Sequence, residues 1–167
     1  MNNDEHILLV EDDKSLQELI EKLLQNNNYI VSKANNIEEA GKLINLFIFD
    51  LIILDVMLPD STGLDFYKER IKDRINTPVI FLSALSDVED RINGLKLGAD
   101  DYVGKPFDSR ELVLKIKKNI IKKQSLDVIY LGKNTEFNLK KEQLHFLGKK
   151  INLSSNEILI LKLLINN

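Results

Sequence analysis

Cysteine is missing from all 167 residues, which excludes a disulfide framework, thiolate zinc sites and a cysteine nucleophile. Any chemistry must rest on oxygen and nitrogen groups. Proline and glycine are sparse, at three and seven, too few for a collagenous or low-complexity architecture. No apolar run approaches the ~20 residues of a membrane helix. The N-terminus, MNNDEHILLVEDD, has no basic segment ahead of its short apolar run, and acids interrupt that run after Val10. The expectation is a cytoplasmic chain with no membrane partner.

What is present is ordinary for a folded domain: 44% hydrophobic and 29% charged residues. The length allows one domain of ~100–150 residues plus a remainder. Charge divides unevenly. Up to Lys122 there are 16 basic and 22 acidic residues, net −6; beyond it there are 7 and 4, net +3. An acidic first part argues against non-specific nucleic-acid binding there, whereas the basic tail permits it.

Short β-branched runs alternate with helical periodicity, the pattern of βαβ units around a parallel sheet. Strands are expected at His6 to Val10, Ile30 to Lys33, Leu51 to Leu54, Val79 to Ser83 and Asp101 to Val103. Apolar stripes run through Leu16, Leu19, Ile20, Leu23 and Leu24, and through Ile37, Ala40, Leu43 and Ile44. Three further helices are expected: Gly63 to Ile71, Asp87 to Leu97 with Gly98 as its stop, and Ser109 to about Ile121. After Lys122 the pattern changes. A polar hinge, Lys122 to Ser125, precedes four short strand-like runs that read as an antiparallel meander. Ser154 and Glu157 then form a capping box that opens an apolar helix. Nothing follows to cover Ile158, Leu161, Leu164 and Ile165, which reads as a second domain cut short.

In an open parallel sheet the carboxyl ends of the strands lie along one edge, where such folds place their sites. Glu11, Asp12, Asp55, Ser83 and Lys105 all stand at strand ends. Asp55 stands out because it sits between LIIL and the apolar Val56, Met57 and Leu58, and a carboxylate there is rarely idle. Asp13 reads as a helix cap, and His6 and His145 as structural, since they lack ligand-like spacing. Three carboxylates within ~4–6 Å repel by a few kcal/mol per pair at an effective dielectric near 20, so a cation is expected among them. With oxygen-only donors, Mg²⁺ is the physical choice.

The segments VEDD (10–13), IILDVMLPDSTG (52–63), FLSA (81–84) and GLKLGADDYVGKPF (94–107) resemble the receiver domain of two-component response regulators. That fold is the flavodoxin-like (βα)5 arrangement with strand order 2-1-3-4-5, for which CheY is the standard example. The resemblance implies that Asp55 is the phosphoacceptor. Glu11 and Asp12 match the acidic pair, and Glu11, Asp12, Asp55 and the backbone carbonyl of Met57 form the Mg²⁺ site. Ser83 and Lys105 then contact phosphoryl oxygens, Tyr102 is the aromatic that switches with Ser83, and Pro106 follows a cis peptide bond. The phosphoryl donor is a sensor histidine kinase. The positions that gate attacking water are Met57 and Leu85; both are apolar, which implies slow self-dephosphorylation.

The resemblance extends to the OmpR/PhoB-type subfamily. It implies a homodimer on phosphorylation through the face of the fourth helix, fifth strand and fifth helix, with cross-chain pairs Arg91–Glu111, Asp101–Lys115 and Asp100–Lys122. The tail resembles the start of that subfamily's winged-helix DNA-binding domain, without recognition helix or wing. The implied organisation is a receiver at 1–122, a linker at 123–127 and a partial DNA-binding domain at 128–167, with DNA a partner only of an intact longer form. Two other readings stand beside it. One is a complete, DNA-independent phosphorylation switch acting on protein partners. The other is a haloacid-dehalogenase-type phosphatase, which needs a second acid two residues after Asp55, where Met57 stands.

Overall fold

The computed structural model describes residues 5–72, 77–84, 100–126 and 128–165. The chain forms two compact units, Met1–Ile120 and Ile121–Asn167. In the first, β1 (His6–Val10), β2 (Ile30–Ala34), β3 (Leu51–Asp55), β4 (Val79–Ala84) and β5 (Asp101–Lys105) form one sheet in the order β2-β1-β3-β4-β5. Every pairing is parallel. Because strand side chains alternate between faces, Leu8, Val10, Ile52, Leu54 and Phe81 fill one core layer. Ile7, Leu9, Leu51, Ile53, Ile80 and Leu82 fill the other. Burial on both faces is why these strands read as continuous apolar runs.

The helices depart from the sequence expectation in instructive places. In α1 (Lys14–Asn26) the buried residues are Gln17, Ile20 and Leu24, and Leu19, expected in the stripe, is exposed. The core-facing line is rotated by one position toward a polar residue. In α2 (Ile37–Leu46) Ala40 is buried, and Ile37, Leu43 and Ile44 pack against the core as expected. The helix α3 is regular only over Gly63–Phe66 and then widens into a π-helical turn, Tyr67–Ile71. That wider turn accompanies burial of Phe66, Tyr67 and Ile71 together, with Tyr67 edge-on to Phe81 at 5.5 Å. The helix expected at Asp87 to Leu97 lies outside the described residues.

The helix Ser109–Leu126 runs past its expected end at Ile121. Residues 122–125, expected as a polar hinge, are therefore helical, as are residues 123–126 of the expected 123–127 linker. Charge alone does not end a helix; no glycine or proline interrupts the segment, and lysine and glutamine are good helix formers.

The second unit contains an antiparallel sheet, β6 (Val128–Gly132), β7 (Thr135–Asn138), β8 (Gln143–Phe146) and β9 (Lys149–Ile151), in sequence order. The meander read from sequence is present. The helix Ser155–Ile165 starts on the expected capping box: the Ser154 amide and hydroxyl donate to Glu157 Oε2 at 2.8 and 2.7 Å. Lys162 of this helix pairs with Glu142. None of the helix's residues is buried.

Candidate functional site

Strand register assembles the site. Val10 pairs with Leu54, so one residue further Glu11 comes level with Asp55. Asp55 in turn pairs with Leu82, and Ser83 with Gly104. Four of the five strands run one or two residues beyond expectation on the site edge, making Asp55 and Lys105 terminal strand residues. Glu11, Asp55 and Ser83 are buried, with exposures of 1, 4 and 1%, while Asp12 is exposed. The carboxylates of Glu11, Asp12 and Asp55 each place an oxygen within 4.8 Å of the others.

Lys105 enters this group directly, with Nζ 2.7 Å from Glu11 Oε2 and 2.7 Å from Asp55 Oδ2. The cation that sequence reasoning required among the acids is thus partly supplied by the chain itself. Burial alone would pull the Lys105 ammonium down, but hydrogen bonds and charge from Asp55 and Glu11 outweigh it and hold its pKa above the ordinary lysine value. For Glu11, burial is the strongest influence and raises it. The hydrogen bond from Lys105 opposes that, the charge of Asp55 adds to it, and the result is about 7. Three carboxylates and one ammonium leave a formal charge of −2. Oxygen-only donors with that residual charge suit a small hard dication, so the residues present fit Mg²⁺.

Neighbouring backbone fixes the acids. The other oxygen of Asp55, Oδ1, accepts the Met57 amide at 3.1 Å, so the carboxylate is held from both sides. Met57 itself is 63% exposed and bridges Thr62 across the β3–α3 loop. Asp13 caps α1 as expected, accepting the Ser15 and Leu16 amides at 2.8 and 3.0 Å. Three further residues escaped the sequence reading. Gly63 lies so close to β3 that an added Cβ would sit 2.1 Å from the Asp55 carbonyl oxygen. Asp60 reaches from the β3–α3 loop to accept the Ile37 and Glu38 amides at the start of α2, at 3.0 and 3.3 Å. Gln17 binds backbone beside Glu11. The spacing of residues 17, 20 and 24 is the one signal that could have placed Gln17 inward.

Of the residues expected to switch, Ser83 donates from Oγ to the Ala84 carbonyl at 3.2 Å. Tyr102 is buried and stacks on Phe81, with ring centroids 5.1 Å apart. Lys105–Pro106 is cis, as the resemblance implied. Leu85 and Arg91 lie outside the described residues. On the expected dimer face, Lys115 Nζ donates to Asp101 Oδ1 and to the Tyr102 carbonyl, both at 2.6 Å within one chain. Glu111 Oε1 is 3.7 Å from the same ammonium. Asp100 Oδ2 accepts the Val79 amide at 3.2 Å, and Lys122 is exposed. No helix of the described residues is long and apolar enough to cross a membrane.

The family described as response regulator receiver domain matches residues 7–117. The transcriptional regulatory protein DltR of Streptococcus agalactiae is 35% identical over 163 residues, covering 96% of this chain and 72% of its own length. The solved receiver domain of the Francisella response regulator 1452 is 37% identical, with TM-score 0.67 over 71% of this chain and 98% of that one. DrrB of Thermotoga maritima, described as an OmpR/PhoB homolog, is 30% identical with TM-score 0.65, covering 97% of this chain and 72% of that one.

Proposed function

The chain belongs to the response regulator receiver domain family, and on that premise we propose that it is a phosphorylation switch of a two-component phosphorelay, with Asp55 the acceptor. The observation that carries this reading is the buried Asp55 carboxylate held between the Met57 amide and the Lys105 ammonium, beside two further acids. One Asp55 oxygen attacks the phosphorus of a phosphohistidine on a sensor histidine kinase. The new O–P bond replaces the P–N bond, and the imidazole leaves with its electron pair. The product is a mixed anhydride, a signal held on the protein and not a product released by turnover.

Positioning and charge do the work in such a transfer. Lys105 turns from its carboxylate partners toward the transferring group as a compact point charge. Glu11, Asp12, Asp55 and the Met57 carbonyl would hold Mg²⁺, which when bound neutralises charge on the transferring group. Ser83 contacts a second phosphoryl oxygen, and its movement is coupled to Tyr102. Such coupling is a population shift, and full conversion from 1:99 to 99:1 takes about 5.5 kcal/mol of differential binding.

The output we assign is transcription regulation by a homodimer, supported by the DltR and DrrB relationships. The four-stranded sheet and the helix Ser155–Ile165 are then the N-terminal part of a winged-helix domain. Dimerisation through Arg91–Glu111, Asp101–Lys115 and Asp100–Lys122 would exchange the Asp101–Lys115 pair within one chain for the same pair between chains.

Incubation with a small acyl phosphate tests the acceptor role. The intact chain gains one phosphoryl group when Mg²⁺ is present and far less when it is chelated. No gain under either condition would overturn the reading.

A further inference from the structure

Gln17 is a polar side chain on the core-facing line of α1, only 5% exposed. Burying an amide there is unfavourable unless its hydrogens are bonded, and its bonds are specific. Gln17 Nε2 donates to the Glu11 carbonyl at 2.8 Å, lies 3.2 Å from the Ala34 carbonyl and 3.3 Å from Asn35 Oδ1. The regular β1–β2 ladder ends at Val10 and Ala34. One more backbone bond, Glu11 N–H to the Ala34 carbonyl at 3.1 Å, follows it. Gln17 therefore continues the ladder at the point where the two strands part.

The Glu11 carbonyl belongs to the peptide unit that joins Glu11 to Asp12. A peptide unit is planar, so fixing its oxygen fixes the plane from which both side chains depart. We infer that Gln17 is a positioning residue of the acidic site, setting the directions of the Glu11 and Asp12 carboxylates and thereby the affinity for a divalent cation. The inference rests on the reading that Glu11, Asp12 and Asp55 hold Mg²⁺. Groups that orient ligands from behind are worth about 10–100-fold in metal affinity.

The test uses the full chain and Mg²⁺ alone, titrated while the amide resonances of Asp12 and Met57 are followed by NMR. Gln17→Met keeps the volume and removes the donor; it should raise the Mg²⁺ dissociation constant about tenfold. Thr77→Val deletes another buried side-chain bond to a carbonyl, Thr77 Oγ1 to Phe49 O at 3.1 Å, at the opposite edge of the sheet. It should leave the affinity within about twofold, because a general loss of stability does not reorient the acids. Equal affinity in folded Gln17→Met and the unaltered chain overturns the inference, as does equal weakening by Thr77→Val. Should Gln17→Met fail to fold, Gln17→Asn decides, since its amide is one methylene short of the Glu11 carbonyl; unchanged binding there overturns the inference too. A failure of the unaltered chain to bind Mg²⁺ would instead remove the metal-site reading and this inference with it.

Discussion

Lys105 Nζ and Asp55 Oδ2 lie 2.7 Å apart although fifty residues separate them in sequence. The sheet order makes this possible, because β5 stands two strands from β3 and Lys105 reaches across the end of β4. The ammonium occupies charge space that a dication would also seek. Lys105→Met should therefore bind Mg²⁺ several-fold more tightly, through removal of a competing positive charge. Phosphorylation of Asp55 by acyl phosphate should nevertheless slow about 10²-fold, since a charge aimed at the transferring group is lost. Calorimetric Mg²⁺ titration and intact-mass kinetics read the two effects separately; parallel changes would contradict the assignment.

Acidity couples to the same site through Glu11, whose pKa is raised from 4.5 to about 7. The folded chain then holds a proton that the unfolded chain has already released, so in cation-free solution stability falls as pH rises from about 4.5 to about 7. Mg²⁺ needs the ionised carboxylate, and its affinity should rise between pH 6 and 8 and level off above that. Denaturant titrations with and without Mg²⁺ across this range check both signs. A pH-independent Mg²⁺ affinity would show that Glu11 is ionised throughout.

Gly63 leaves no room for a side chain. Its missing Cβ would meet the Asp55 carbonyl oxygen at 2.1 Å and its carbonyl carbon at 3.0 Å, and backbone cannot yield as a flexible side chain can. Gly63→Ala should destabilise by about 1–3 kcal/mol or more through overpacking. It should also slow phosphorylation by displacing Asp55. Gly41, by contrast, has open space around it, and Gly41→Ala in α2 should stabilise by about 0.5–1 kcal/mol. Chemical denaturation distinguishes the two.

The Asp101–Lys115 pair ties β5 to the helix Ser109–Leu126. Burial alone would raise the Asp101 carboxyl, but the Lys115 hydrogen bond, the Tyr102 amide and the charges of Lys115 and Lys118 outweigh it and lower its pKa. A depressed folded value gives stability that is present above the unfolded pKa near 3.8 and lost as pH falls through the folded value. Asp101→Asn should cost about 1 kcal/mol at pH 7, discounted for partial exposure, and less at pH 2, where the carboxyl begins to take up its proton. An equal cost at both pH values would assign the effect to packing.

The strands and the buried carboxylate of Asp55 were legible because both signals are local. LIIL followed by an acid marks the end of a buried strand whatever its neighbours do, and Glu11 and Lys105 follow the same rule. That Lys105 itself bridges two of the acids was not legible, because the contact depends on strand order. Sequence periodicity located the apolar stripe of α1 and missed Gln17, since a buried polar group is revealed only by the carbonyls that satisfy it. The π-turn after Phe66 answers to Phe81 on another element, and the continuation of helix through Lys122 defeated a reading based on polarity. At the β8–β9 turn, Gly148 with φ of 73° was a readable signal. Leu147 beside it, at φ of 50°, was not, because a bulky residue rarely adopts that conformation.

The most direct measurement is the chemical location of the phosphoryl group. The chain is treated with acyl phosphate and Mg²⁺, reduced with borohydride to convert an aspartyl phosphate to homoserine, and sequenced by mass spectrometry. Homoserine is expected at position 55 alone, and none in Asp55→Asn. Homoserine at another position, or a phosphoryl group that persists in Asp55→Asn at the same stoichiometry, would contradict it.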